Sequence, residues 1–211
     1  MTDISVSCLA RLKARRVLLG ILIIFIASPL AMAADDGAKA VAVIERLHES
    51  LMVVMRHADT LAYNGRYRKL AAVVSSSFDL QRLARISTGK YWRGLNAQQK
   101  LAFTDVFSRL VIATYAHRFN GYSGEHFRIA GQRKLSRGGM LVRAYLVKND
   151  GSQVSLNYIL RPQQNRWRII NVLAEGVSDL ALKRSEYTTI LATEGVTRLI
   201  LRLEGKIRSF E

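Results

Sequence analysis

From Ala40 onward, Val43, Ile44, Leu47, Leu51, Val54, Met55 and Ala58 recur three and four apart. That spacing lines one face of a 3.6-residue turn, so it predicts a long amphipathic helix with a single buried stripe. A shorter helical piece follows over residues 67–74, and another over residues 80–86, with Asp79 placed to cap it and Gly89 to end it. Asn96-Ala97-Gln98-Gln99 has the form of a capping box. The helix it opens carries Phe103, Phe107, Leu110 and Thr114 on one side, with Leu101, Ile112, Tyr115 and Phe119 around the rest. A helix apolar on most faces is buried on most faces, which makes this one central and predicts its end at Asn120-Gly121.

Beyond Gly124 the period changes from helical to alternating. Four strand-like runs occupy residues 127–135, 140–148, 153–160 and 167–174, separated by the turn-forming stretches "SRGG", "NDGS" and "PQQN". Connections this short join antiparallel neighbours only, so the runs predict a four-stranded meander. The last run meets Glu175-Gly176-Val177-Ser178 and passes at once into a helix marked by Leu180, Arg184, Tyr187 and Leu191. Gly176 is read as the residue that lets the backbone turn where a Cβ would crowd, and Ser178 as the cap that starts the helix, with Asp179 at its positive end. Gly195 interrupts, and Val196, Leu199, Ile200, Leu203 and Ile207 align a final helix. Helices, then a meander, then helices describe an α+β fold with helices packed on one face of a sheet.

The first 33 residues stand outside that pattern. Arg11, Lys13, Arg15 and Arg16 precede the apolar run "VLLGILIIFIA", and Pro29 precedes Ala31-Met32-Ala33, the layout of a secretory signal cleaved after Ala33. An uncleaved anchor is the rival, but residues 17–27 fall short of the roughly 20 apolar residues a spanning helix requires. Cys8, the only cysteine, lies inside this leader, so the mature chain would hold no disulfide, thiolate nucleophile or cysteine metal ligand. Cleavage removes four of the 32 Lys/Arg and one of the 16 Asp/Glu, leaving a net charge of +13. After export to a bacterial periplasm nucleic acid is not an available partner. The basic surplus points instead to transient contact with an anionic membrane surface or an acidic protein face.

Residues with chemistry are sparse. His48, His57, His117 and His126 make no His-x-x-x-His pair, and no nucleophile elbow, phosphate loop or dinucleotide fingerprint occurs. The inward strand position where a pocket acid would sit holds Asn171, which cannot act as a base. No catalytic residue, cofactor or metal is therefore assigned, and the chain is read as a non-enzyme. What is abundant is apolar and aromatic surface on the strands and the central helix, which packs as core or lines a cavity.

Two stretches, "FDLQRLARISTGKYWRGLNAQQKLAFTDVFSRLVIATYAHRFNGY" and "WRIINVLAEGVSDLALKRSEYTTILATEGVTRLILRL", resemble the MlaC or toluene-tolerance auxiliary family. Within it, "DLALKRSEY" is similar to the hopanoid-associated branch called HpnM, while Asn171 departs from an Asp that family members often carry. The resemblance implies an NTF2-like curved meander whose helices enclose a hydrophobic pocket. It implies a periplasmic carrier that shields acyl chains and shuttles phospholipid between outer and inner membranes, with the headgroup facing solvent. Its partners would be an inner-membrane ABC-type transporter complex and an outer-membrane lipoprotein complex. A binder of hopanoids or other hydrophobic small molecules, or an NTF2-like pocket enzyme, remain the alternatives. The expected arrangement is one monomeric lipid-binding domain over residues 34–211, helical over 37–122, a meander over 125–175 and two helices over 178–210. Strand and helix position nominate Phe107, Tyr115, Phe119, Tyr145, Leu156, Tyr158, Ile170 and Val172 as lipid-contacting, with Gly176 and Ser178 at the structural junction.

Overall fold

The apolar stripe that begins at Ala40 is buried along its whole length in the computed structural model, which describes residues 30–211. The expected leader lies outside the described residues except for its last four, which start the first helix. That helix, α1 (Leu30–Arg56), packs against α2 (Ala58–Ser77) and the sheet. The second helix is longer than its sequence pattern suggests and is kinked, because Ala62 adopts φ 47° and ψ −174°. Arg66 on α2 is buried, and its guanidinium donates to the carbonyls of Ala58 (3.0 Å) and Ala116 (2.9 Å). Those two bonds tie α2 to the last turn of the central helix and offset the cost of burying the charge.

Asp79 caps α3 (Leu80–Ser87) by accepting from the Arg82 N–H at 3.0 Å. Gly89, at φ +57°, opens a 3-10 turn (Gly89–Gly94). Both bonds of the capping box form at the start of α4 (Ala97–Arg118): Asn96 Oδ1 accepts from Gln99 N, and Gln99 Oε1 accepts from Asn96 N. Phe103, Val106, Phe107, Leu110, Val111, Ile112, Ala113 and Ala116 make α4 the central helix, yet Leu101 in its first turns is 68% exposed. The helix ends at Arg118, two residues before Asn120, with Phe119 as its C-cap.

The sheet runs β1 (His126–Leu135), β2 (Gly139–Val147), β3 (Gln153–Gln163), β4 (Arg166–Ala174) and β5 (Val177–Ser178), in sequence order and antiparallel throughout. The meander thus has a fifth, two-residue strand, where the sequence suggested four. Met140, Val142, Ala144, Tyr158, Leu160, Trp167 and Ile169 are its buried face. Two register shifts bend it, one between Ile129 and Gly131 and one beside Ile159, where Ile170 is left without a cross-strand partner. Asp79 N donates to Ile169 O at 3.0 Å and Phe78 bridges Ile169 in parallel, so the α2–α3 turn is pinned to β4.

The strand-to-helix junction is a tight hairpin. Ala174 pairs with Val177, and the two residues between them, Glu175 and Gly176, sit at φ 50° and 78°. Two consecutive positive φ values are the signature of the turns that match strand twist. A Cβ at Gly176 would meet nothing within 4 Å, so glycine is needed there for its φ and not for space. Ser178 Oγ then accepts from Ala181 N at 3.1 Å, starting α5 (Asp179–Thr193), and Gly195 at φ +78° separates it from α6 (Gly195–Arg208). Among the described residues no helix is long and apolar enough to cross a membrane.

Candidate functional site

The C-terminal half of α4, the concave ends of β2, β3 and β4 and the first turn of α5 do not close on one another. They leave a cavity of about 280 Å³. Of the eight residues nominated from sequence, Phe107, Tyr115, Phe119, Leu156, Tyr158 and Val172 line it. Tyr145 and Ile170 do not. Tyr145 pairs across from Arg128, whose guanidinium lies 4.9 Å from the ring centroid, and it alternates with the buried residues Ala144 and Val142 on the other face. Ile170 is the unmatched bulge residue, which takes it out of the alternation that sequence reasoning assumed.

Phe78, Leu83, Val111, Leu146, Val154, Ala174 and Leu180 complete the apolar lining. Leu146, Val154 and Ala174 follow from the same strand alternation, once register is known. Phe78 comes from the α2–α3 turn and Leu83 from α3 just after it, and the docking of that turn onto β4 is a long-range event without a local signal. An aromatic wall runs along one side: Phe78 meets Tyr115 edge-on at 5.6 Å, Tyr115 stacks on Phe119 at 5.7 Å, and Phe119 approaches Phe127 at 6.1 Å. Phe127 in turn stacks on His48 at 4.0 Å, and His48 Nε2 is hydrogen-bonded to the Tyr158 hydroxyl at 3.0 Å. Burial holds the His48 ring neutral, its pKa lowered to about 4, and pushes the Tyr158 phenol well above its ordinary value.

The cavity is not apolar throughout. Thr114, Arg118, Asn171, Asp179 and Lys183 also face it. Lys183 Nζ donates to both oxygens of Asp179, at 2.6 and 2.7 Å, an i,i+4 pair on α5. Arg118 has no ion pair among the described residues. Tyr115 lies where both charges reach it: its phenol is raised first by burial, then by Asp179, and is partly lowered by Arg118. Asn171 Oδ1 accepts from Ser178 Oγ at 3.0 Å, so this amide orients the serine that caps α5. Sequence reasoning did not single out Arg118 or Lys183. The available signal was a cation at the end of α4, just after its apolar run over residues 110–116.

No group of three or more His, Cys, Asp or Glu among the described residues could hold a metal. What the cavity offers is an apolar, aromatic volume with charge gathered at one end, the shape of a site for an amphiphile.

The family description "MlaC protein" matches residues 45–205, which span every wall of this cavity. The chain belongs to the MlaC family. Among curated proteins, the intermembrane phospholipid transport system binding protein MlaC of Haemophilus influenzae is 23% identical over 120 residues, 55% of this chain and 56% of that one. The match thus spans about half the length of that relative. Among solved structures, a phospholipid-binding protein from Ralstonia solanacearum in complex with a phospholipid superposes with a TM-score of 0.69 at 19% identity. It covers 82% of this chain and 98% of its own. At that identity the likeness is one of fold, and it places this chain's sheet and helices in the α+β arrangement of the MlaC family.

Proposed function

We propose that this MlaC-family chain is a periplasmic phospholipid carrier: a single, non-enzymatic lipid-binding domain following a cleaved leader. It takes acyl chains into the cavity between α4, α5 and the concave sheet. The observation that carries the reading is the cavity itself, lined chiefly by aromatic and aliphatic side chains, with Arg118 at the end of α4 and Asp179 and Lys183 at the start of α5 as its charged groups. Family membership and the phospholipid held by the Ralstonia relative support it. Phe107, Tyr115, Phe119, Leu156, Tyr158 and Val172 are its proposed lipid contacts.

The physical logic is that of any lipid crossing water. At roughly 0.8 kcal/mol per methylene, a sixteen-carbon chain exposed to water costs on the order of 12 kcal/mol, so unaided transfer is slow. A cavity of hydrocarbon-like polarity removes that cost, and exchange with a bilayer becomes nearly neutral in free energy. A carrier of this kind sets no direction by itself. Direction would come from an energised inner-membrane ABC-type complex, with an outer-membrane complex as donor or acceptor, and the relative's name as the binding protein of an intermembrane phospholipid transport system supports a multi-part system of that kind.

Native mass spectrometry with lipid extraction, on protein purified after export with its own leader, tests this reading. Phospholipid at about one per chain is the expected result. An empty protein under gentle conditions overturns it, and a polycyclic species such as a hopanoid would replace the ligand class while leaving the cavity its role.

A further inference from the structure

Strand alternation gives the meander a second face. Register places Arg128 beside Tyr145, Arg133 beside Leu141, Arg143 beside Asn157 and Arg161 beside Arg168, with Ile159 and Leu173 in the same rows. On the opposite face Met140, Val142, Ala144, Tyr158, Leu160 and Ile169 are buried, whereas none of the residues just named is. The outer face is therefore uncovered.

One solvated face is ordinary for an antiparallel sheet, but the charge of this one is not. Residues 126–174 hold nine Lys/Arg and one acid, Asp150, which lies in the β2–β3 turn. The five arginines of the face make no ion pair among the described residues, while the helices pair theirs: Arg109 with Asp105 and Glu204, Arg198 and Arg202 with Glu194. Several of the face's guanidiniums are nonetheless held in place. Arg128 lies 4.9 Å from the Tyr145 centroid and donates to Gln153 Oε1 at 3.1 Å. Arg161 donates to Arg137 O at 3.3 Å, and Arg168 to Ser75 O at 3.0 Å. Arg161 and Arg168 are direct cross-strand partners, a juxtaposition of like charges that costs stability in the sheet on its own. A face kept only for solubility would intersperse the two signs.

We propose that this outer face is a docking surface for an acidic protein, with Leu141, Ile159 and Leu173 as its apolar centre and the arginines receiving carboxylates around it. Arginine and tyrosine around partly buried aliphatic residues, without lysine, is the composition of a protein interface. The planar fork of arginine meets a carboxylate through two parallel bonds, and the contacts above orient it in advance. A bilayer is the weaker match, since none of the exposed large apolar side chains among the described residues lies on this face to enter it. The proposal takes from the carrier reading only the place of the encounter, the cell envelope. Because these side chains point away from the cavity, docking and lipid loading are separable by substitution.

The test titrates the full folded protein, at physiological salt, into fluorescent poly-L-glutamate and, separately, into vesicles of phosphatidylglycerol and phosphatidylcholine. Arg128→Gln/Arg133→Gln/Arg143→Gln is compared with Arg68→Gln/Lys69→Gln/Arg85→Gln, which removes the same charge from exposed helical positions. The face variant is expected to weaken poly-L-glutamate binding about tenfold or more and the helical variant about twofold or less, with lipid loading unchanged in both. Equal weakening in the two variants assigns the binding to net charge and overturns the docking face, as does no weakening in either. Vesicle binding that depends on the face arginines, with poly-L-glutamate binding that does not, gives the face to a bilayer and overturns it too. If circular dichroism shows the triple face variant unfolded, Arg143→Gln alone is expected to weaken poly-L-glutamate binding about threefold, and an unchanged affinity overturns the proposal. Wild-type protein that binds poly-L-glutamate through this face but carries no lipid sinks the carrier reading and leaves the docking face standing.

Discussion

Two side chains show how much of this molecule depends on single polar contacts in apolar surroundings. His48 is buried between Phe127 and Tyr158, and burial lowers its pKa from 6.5 to about 4. The unfolded chain therefore binds a proton near pH 6.5 that the folded chain refuses until about pH 4. Stability is fully present above pH 6.5 and falls as the pH drops through that window, by ~3 kcal/mol in total from this group. Urea titrations at pH 7 and pH 4.5 should show that loss, and His48→Gln, which keeps a polar partner for Tyr158, should flatten it. An unchanged pH slope in the variant would place the acid sensitivity elsewhere. Ser178 is the second case. Its hydroxyl accepts from Ala181 N and donates to Asn171 Oδ1, so Ser178→Ala removes a cap and orphans an amide together. A destabilisation of about 1–2 kcal/mol is expected in denaturant unfolding, with the loss in Asn171→Ala overlapping it rather than adding to it.

At the scale of elements, the strained joint is inside α2. Ala62 holds φ 47° and ψ −174°, a region that L-residues occupy at a cost of about 1–3 kcal/mol. Ala62→Gly should therefore stabilise the protein by about 1 kcal/mol after the entropic cost of glycine, read as a higher urea midpoint. A lower midpoint would mean that the methyl contributes more by packing than the backbone loses. This kink was illegible in the sequence, since nothing in "DTLAYNGRY" marks Ala62 as exceptional, whereas α1, α3, α4 and α6 were legible because periodicity and caps are local. The same division holds at the cavity. Strand alternation led to Leu156, Tyr158 and Val172, and it failed at Ile170, where a bulge adds one residue and breaks the period. Tyr145 failed for a different reason: alternation identifies two faces but not which one the helices cover. Glu175-Gly176 could have been read as a two-residue hairpin from its composition. The helix directly after it concealed a strand of only two residues.

At the scale of the whole molecule, the cavity is small for its proposed cargo. At roughly 30 Å³ per water-sized group, 280 Å³ accommodates on the order of nine methylenes, so a complete acyl chain requires the walls to part. Substituting a bulky ring on the cavity wall should then be severe. Val172→Trp is expected to reduce co-purifying lipid several-fold with the fold retained, and full loading of a well-folded variant would mean that chains enter elsewhere. The net charge of +13 that the chain would carry without its proposed leader sets a further expectation. Association with anionic vesicles should weaken from low to physiological salt, and salt-insensitive binding would show that the basic surface plays no part in docking. One contact has a bearing on how the chain reaches this state at all. At the turn of Phe78 and Asp79 the bridge and the Asp79 N–H bond are made to Ile169, so that turn gains its long-range partner only when the fourth strand is in place. If the chain is exported from its N-terminus, as proposed, that anchor is missing until most of its length has arrived. A version interrupted before β4 would lack the Ile169 anchor of the α2–α3 turn and the wall of the cavity that β4 supplies, and is expected to be cleared by chaperones and proteases rather than to act as a smaller carrier.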